Sequence, residues 1–163
     1  KFVNNKNNGR LIMKKQKIIL AADHAGFELK EEIKNYLEKE GYEVEDMGAN
    51  SFDKEDDYPD FIIPAAKKVA KEKCLGIIFG GSGQGEAIAA NKVKGVRAAL
   101  YYGKNLDIVR LSKTHNKTNM LSLGARFLSK EEAAKAVKTW LSTDFNNEER
   151  HIRRIGKISK IEK

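Results

Sequence analysis

With 163 residues, the chain has room for one domain with a sizeable core and not for two packed ones, and 40% hydrophobic against 33% charged residues with two prolines excludes a disordered or fibrous protein. The formal charge of +8 lies at the ends: residues 1–17 carry six Lys/Arg and no acid, residues 148–163 carry six against three acids, and the residues between hold 19 basic and 20 acidic side chains. A body so balanced has no general attraction for a polyanion, which argues against nucleic acid as a partner, while a few convergent arginines in the basic C-terminal segment suffice to hold a small phosphate.

Residues 1–15 are rich in Lys and Asn and lack periodicity; Met13 reads as a natural start, and what precedes it as a leader or an expression remnant. Ile18 to Ala22 is a short continuous apolar run, as a strand buried on both faces requires, and Asp23-His24-Ala25-Gly26 ends it. Leu29, Ile33, Tyr36 and Leu37 recur at helical spacing up to Gly41. Residues 42–47 read as a second strand, and an acidic loop with Asp56-Asp57-Tyr58-Pro59 leads into a helix over 60–72. Residues 75–79 form a third strand that runs straight into Gly80-Gly81-Ser82-Gly83-Gln84-Gly85-Glu86. A helix over 86–93, a strand over 96–101, a helix over 104–113 and a strand over 120–123 follow. Ala133, Ala136, Val137, Trp140 and Leu141 mark the next helix, and a basic helix covers 148–160.

Strand and helix thus alternate five times with short connections. The expected fold is a three-layer α/β domain, Rossmann-like, over residues 16–163: a five-stranded parallel sheet covered by helices on both faces, with a C-terminal helical extension. No apolar run approaches the length of a membrane span and no secretion signal is visible, so the reading is a cytoplasmic protein without a membrane partner. Cys74, the single cysteine, has no partner for a disulfide and precedes its strand, so it reads as packing and not as a nucleophile.

Ligands in such sheets bind beyond the carboxyl ends of the strands, which directs attention to the loops starting at Asp23, Gly80, Tyr101 and Gly124. The four glycines around Ser82 let backbone N–H groups converge on an anion or a developing oxyanion. Their spacing, G-G-x-G-x-G after the third strand, does not fit a dinucleotide fingerprint, and no Lys-Ser or Lys-Thr follows to make a nucleotide P-loop. A carboxylate in a helix's first turn is often only a partner for the helix dipole, but Glu86 beside an array of donors also suits removal of a carbon-bound proton while the loop takes the charge. Asp23-His24 serves equally as a capping pair or as part of that site. His115-Asn116, beyond the fourth helix, adds an imidazole that exchanges protons near neutral pH and an amide that holds an oxygen. Arg150 and Arg154 share a helix face, which solvation alone explains as well as ligand binding does, and Arg126 just past the fifth strand is placed to join them.

Together Ala22-Asp23-His24-Ala25-Gly26-Phe27, Asp57-Tyr58-Pro59, Gly81 to Lys92, His115-Asn116 and Arg150-His151 with Arg154 resemble the ribose-5-phosphate isomerase B and galactose-6-phosphate isomerase family over about residues 17–160. The resemblance implies that Asp23 and His24 contact the sugar and its ring oxygen or phosphate, and that Tyr58 lines the pocket. It implies that Gly81, Ser82, Gly83 and Gly85 with Asn116 hold the C1/C2 oxygens, that His115 assists ring opening, and that Arg126, Arg150 and Arg154 bind the phosphate. A homodimer with shared sites, paired into tetramers or not, is also implied. Many members carry a cysteine base where this chain has Gly80 and a threonine where it has Ser82. Glu86 then takes the base role, as in the branch that uses a glutamate, and Ser82 relays or holds a hydroxyl. The expected activity is metal-independent interconversion of ribose 5-phosphate and ribulose 5-phosphate through an enediolate, with no cofactor. A six-carbon sugar phosphate such as galactose 6-phosphate or allose 6-phosphate is the alternative substrate, and a non-catalytic nucleotide-binding module the alternative class.

Overall fold

The computed structural model describes residues 16–162, so the leader expected over 1–15 lies outside the described residues. Five strands and six helices alternate: β1 (Lys17–Ala22), α1 (Phe27–Lys39), β2 (Glu43–Asp46), α2 (Tyr58–Glu72), β3 (Leu75–Gly80), α3 (Gln84–Ala90), β4 (Ala98–Tyr101), α4 (Leu106–Asn116), β5 (Met120–Gly124), α5 (Lys130–Leu141) and α6 (Glu149–Ser159). The strands form one sheet in the order β2-β1-β3-β5-β4, and every pairing is parallel. This is the expected three-layer α/β architecture. Among the described residues no helix is long and apolar enough to cross a membrane.

Alternation along the strands builds the two cores. Ile18, Leu20, Ile77, Phe79, Leu121 and Leu123 face α1, α4 and α5, where Leu29, Ile33, Leu37, Val109 and Trp140 meet them. Ile19, Ala21, Ile78 and Met120 face the other way, onto Ile62, Ala65, Ala66 and Val69 of α2 and Ala90 of α3. Trp140 is fully buried and donates its indole N–H to Thr118 Oγ1 at 2.9 Å, so its large apolar area is buried without leaving a polar atom unpaired.

Some boundaries differ from the sequence reading for local reasons. The helix expected over 60–72 begins at Tyr58, because Pro59 at its first turn has its φ preset for a helix and no N–H to lose. The helix expected over 86–93 runs from Gln84 to Ala90; Asn91 then donates its side-chain amide to the carbonyls of Ala87 and Ala98, both at 2.9 Å, turning the chain toward β4. The helix expected to stop at 113 reaches Asn116, so His115 and Asn116 lie on its last turn and not beyond it.

The order of the strands positions the site. β2 and β3 lie on opposite sides of β1, so the chain reverses its direction across the sheet between β1 and β3. Register pairs Ala22 with Phe79 and Gly80 with Gly124, which brings the loops after β1, β3 and β5 to one level at this switch point.

Candidate active site

At the end of β1, Asp23 is buried, and its Oδ1 accepts the N–H groups of Ala25 at 3.0 Å and Gly26 at 3.1 Å. This is the capping arrangement that the sequence left open, and it fixes the turn that presents His24. The His24 backbone N–H donates to Asp56 Oδ1 at 3.0 Å, and its ring Nδ1 donates to the same oxygen at 2.6 Å. The Asp56 hydrogen bond raises the His24 pKa above the ordinary histidine value; desolvation opposes it, the Asp23 charge adds to it, and Arg126 works against it. Phe52 meets the His24 ring edge-on with centroids 6.1 Å apart.

β3 delivers the glycine loop. Gly83 sits at φ +76°, a left-handed conformation that favours glycine, and there the loop turns into α3. The loop is tied down to β5: Ala125 N–H donates to the Gly80 carbonyl at 2.8 Å, Arg126 N–H to that of Gly81 at 3.0 Å, and Ser122 Oγ to that of Gly83 at 2.6 Å. Ser82 Oγ accepts the Gln84 N–H at 3.3 Å.

Glu86, in the first turn of α3, is 4% exposed and folds back over the strand end. A Cβ at Gly80 would fall onto the Glu86 carboxylate, against Oε1, Cδ and Oε2. Burial pushes the Glu86 carboxyl above the usual range; the Asp23 charge adds to the rise, and a backbone hydrogen bond at Glu86 itself opposes it. Around this carboxylate, the Tyr58 ring closes over Gly85, its hydroxyl 3.0 Å from where a Cβ would stand, and the Arg126 guanidinium covers Gly81 at 3.2 Å by the same measure. One cluster therefore joins Asp23, His24, Tyr58, the glycine loop with Ser82, Glu86 and Arg126. It also includes Asp56, which sequence reasoning passed over as one acid in an acidic loop. Asp23, His24 and Asp56 hold potential ligand atoms within 4.8 Å of one another. His24 Nδ1 and Asp56 Oδ1 are bonded to each other and Asp23 Oδ1 accepts the two amides, while Asp56 Oδ2 is buried without a hydrogen-bond partner.

The other expected residues lie elsewhere on the chain. The Arg97 side chain, at the entrance to β4, donates to the carbonyl of Asn116 at 3.0 Å and to that of Lys117 at 2.9 Å, which fixes the end of α4 at the amino edge of the sheet. β4 is four residues long, so roughly 13 Å of strand separates His115 and Asn116 from the level of Glu86. The His115 ring stacks on that of His151 of α6 with centroids 4.2 Å apart and an interplanar angle of 11°. Burial first, and then the neighbouring His115, lower the pKa of His151. Arg150 and Arg154 are exposed on the same helix, and Arg150 Nε donates to Glu148 Oε2 at 2.6 Å. A groove of about 370 Å³ opens at this far end, lined in part by Asn91, Arg97, Asn116 and Ile158. Asp23 and His115 are therefore not neighbours within one chain, which carries two clusters at opposite ends of its sheet.

Sequence and structure comparisons agree on the relatives. The profile described as Ribose/Galactose Isomerase matches residues 18–158. A protein of Mycolicibacterium paratuberculosis named ribose-5-phosphate isomerase B is 42% identical over 148 residues, which cover 90% of this chain and 92% of that one. A ribose-5-phosphate isomerase B of Clostridium thermocellum superposes with a TM-score of 0.84 at 44% identity, covering 90% of this chain and 97% of its own. The Mycoplasma genitalium enzyme, whose crystal structure holds ribulose 5-phosphate, superposes with a TM-score of 0.85 at 42% identity, covering 90% and 95%. With its fold and nearly its whole described length matched in this way, the chain belongs to the ribose/galactose isomerase family.

Proposed function

We infer that the protein is an aldose–ketose isomerase that interconverts ribose 5-phosphate and ribulose 5-phosphate, with Glu86 as the base that moves the proton. The observation that carries the role of Glu86 is the placement of its carboxylate over Gly80, buried, at the switch point and beside the glycine loop. Starting from the aldose, Glu86 takes the C2 proton, and the electron pair of that C–H bond forms the C1–C2 double bond as the carbonyl electrons move to O1. The 2-hydroxyl then loses its proton, C1 receives the one held by Glu86, and O1 is protonated, so the proton count closes. A base with a raised pKa is suited to both halves, since it must bind the proton and release it near neutral pH. The loop from Gly81 to Gly85, with Asn116, stabilises the negative charge on the enediolate oxygens.

His115 opens the furanose ring, Tyr58 lines the sugar, and Arg126, Arg150 and Arg154 bind the phosphate. Because one chain holds these groups at opposite ends of its sheet, the working site is assembled from two copies, each lending its His115 end to the other's Glu86 end. Support comes from the apolar side chains left exposed on the helices that flank the divide: Ile88 on α3, Ile108 and Leu111 on α4, and Ile152 and Ile158 on α6. The experiment is an isomerase assay in deuterium oxide with five- and six-carbon sugar phosphates. Turnover of ribose 5-phosphate with deuterium entering the carbon skeleton supports the reading; turnover of the hexose phosphates alone moves the substrate to that class, and no isomerisation of any of them rejects it.

A further inference from the structure

Asp56 has no part in the chemistry above, yet it is the hydrogen-bond partner of His24, which the family resemblance places against the sugar's ring oxygen or phosphate. Its side chain is 9% exposed, it comes from the loop before α2, and its single oxygen Oδ1 receives both the His24 backbone N–H at 3.0 Å and the ring Nδ1 at 2.6 Å. Two bonds to one acceptor fix the position of the residue and the rotation of its ring, and they commit Nδ1 as a donor. The ring's other nitrogen, Nε2, is thereby left as the atom available to a ligand.

We propose that Asp56 is a positioning residue which, through His24, keeps a second cation beside Arg126 for the substrate's phosphate. This rests on the reading of the site as one for a sugar phosphate. Within one chain the charged groups that act on the His24 ring are Asp56 and Asp23, which favour its protonated form, and Arg126, which disfavours it; in the shared site the arginines of α6 act in the same sense as Arg126. A phosphate seated between His24 and Arg126 removes that opposition, because a dianion favours both cations. Without Asp56 the ring faces Arg126 with only Asp23 to offset it, and its hold on the proton weakens.

The test uses the full chain with Asp56→Asn, which keeps the shape and removes the charge, and Asp56→Glu, which keeps the charge. The His24 ring carbon is followed by NMR against pH, its signal assigned by its loss in His24→Gln, and inorganic phosphate is the ligand. In the unaltered protein His24 titrates above the ordinary histidine value, and phosphate raises its midpoint further; a midpoint indifferent to phosphate overturns the proposal without any variant. In Asp56→Asn the midpoint falls, phosphate affinity drops roughly tenfold at pH 8 and little at pH 6, and the KM for ribose 5-phosphate follows the same profile while kcat stays within about twofold. Asp56→Glu restores most of the pH 8 affinity. Equal losses at both pH values, or a fall in kcat at constant KM, mean that Asp56 only holds the loop and reject the proposal. A chain that binds phosphate in this manner but does not isomerise ribose 5-phosphate rejects the assigned reaction and leaves the role of Asp56 standing.

Discussion

The carboxylate of Glu86 occupies the space in which a side chain at Gly80 would begin. The two positions are six apart in sequence, one closing β3 and the other in the first turn of α3, and the loop between them brings a helix residue back over the strand end. A base attached to the strand at residue 80 and a base reaching down from residue 86 therefore deliver their reactive atoms to the same small volume. The absence of a side chain at residue 80 is a condition for the present arrangement, since any other residue there would evict the carboxylate.

Gly80→Ala is expected to abolish turnover nearly as completely as Glu86→Gln does, with a loss on the order of 10²–10⁴-fold in kcat for either. In the doubly altered Gly80→Cys/Glu86→Ala chain, a thiol stands in the vacated volume, and turnover recovers above either single loss. Steady-state kinetics on the three proteins decides this: a Gly80→Ala enzyme of normal kcat shows that the carboxylate is elsewhere in the working state.

Glu86→Gln is also expected to melt at a higher temperature than the unaltered chain at neutral pH. Burial raises the Glu86 pKa in the folded state, so between the unfolded carboxylate value and that raised value the folded chain binds more protons than the unfolded one. Stability from this group is complete below the unfolded value and declines as pH rises through the window. The amide carries no charge and avoids the penalty, so the two melting curves converge below about pH 4, near the ordinary value for an unfolded glutamate. A glutamine variant that melts lower at pH 7 contradicts the account.

Much of this was legible from residue order, and the exceptions have physical reasons. Apolar runs such as Ile18 to Ala22 mark strands buried on both faces, and Glu86 is visible because its spacing from the glycines places it in a first helical turn. Asp56 was invisible because the pair it makes with His24 spans 32 residues and two elements, and an aspartate in an acidic loop has no periodicity to distinguish it. The separation of His115 from Glu86 was available in principle. In an alternating fold the end of a helix returns to the amino edge of the sheet, so a residue at the end of α4 lies opposite one that follows β3.

Lys30 is fully buried on α1, with its ammonium 2.5 Å from Asp46 Oδ2 and 2.7 Å from Glu31 Oε1. Burial pushes the Asp46 carboxyl up, but the hydrogen bonds from Lys30, the Gly48 amide and Lys34 outweigh it and hold the pKa below the usual aspartate value. Asp46→Asn leaves the buried ammonium short of a counter-charge and is expected to cost about 3–5 kcal/mol in urea unfolding at pH 7. A depressed folded pKa means that the contribution is complete above the unfolded value and disappears as pH falls through the folded one. The gap between the two proteins therefore narrows below about pH 4, near the ordinary unfolded aspartate value, and a gap independent of pH rejects the assignment.

Two inactive variants are expected to repair each other. Glu86→Gln damages the loop end of a chain and His115→Ala damages the far end, so in a shared-site homodimer every site of either variant alone lacks one group. When the variants are mixed in equal amounts and allowed to exchange subunits, half of the dimers are mixed. In each mixed dimer one site draws both altered groups and the other draws neither. Activity then rises to about a quarter of that of the unaltered protein, as two-fold symmetry with random pairing requires. The same mixture prepared from two loop-end variants, Glu86→Gln and Gly80→Ala, stays inactive because neither chain supplies an intact base. If mixing Glu86→Gln with His115→Ala restores nothing while subunit exchange is verified by mass, each chain works with its own two ends and the shared-site arrangement is rejected.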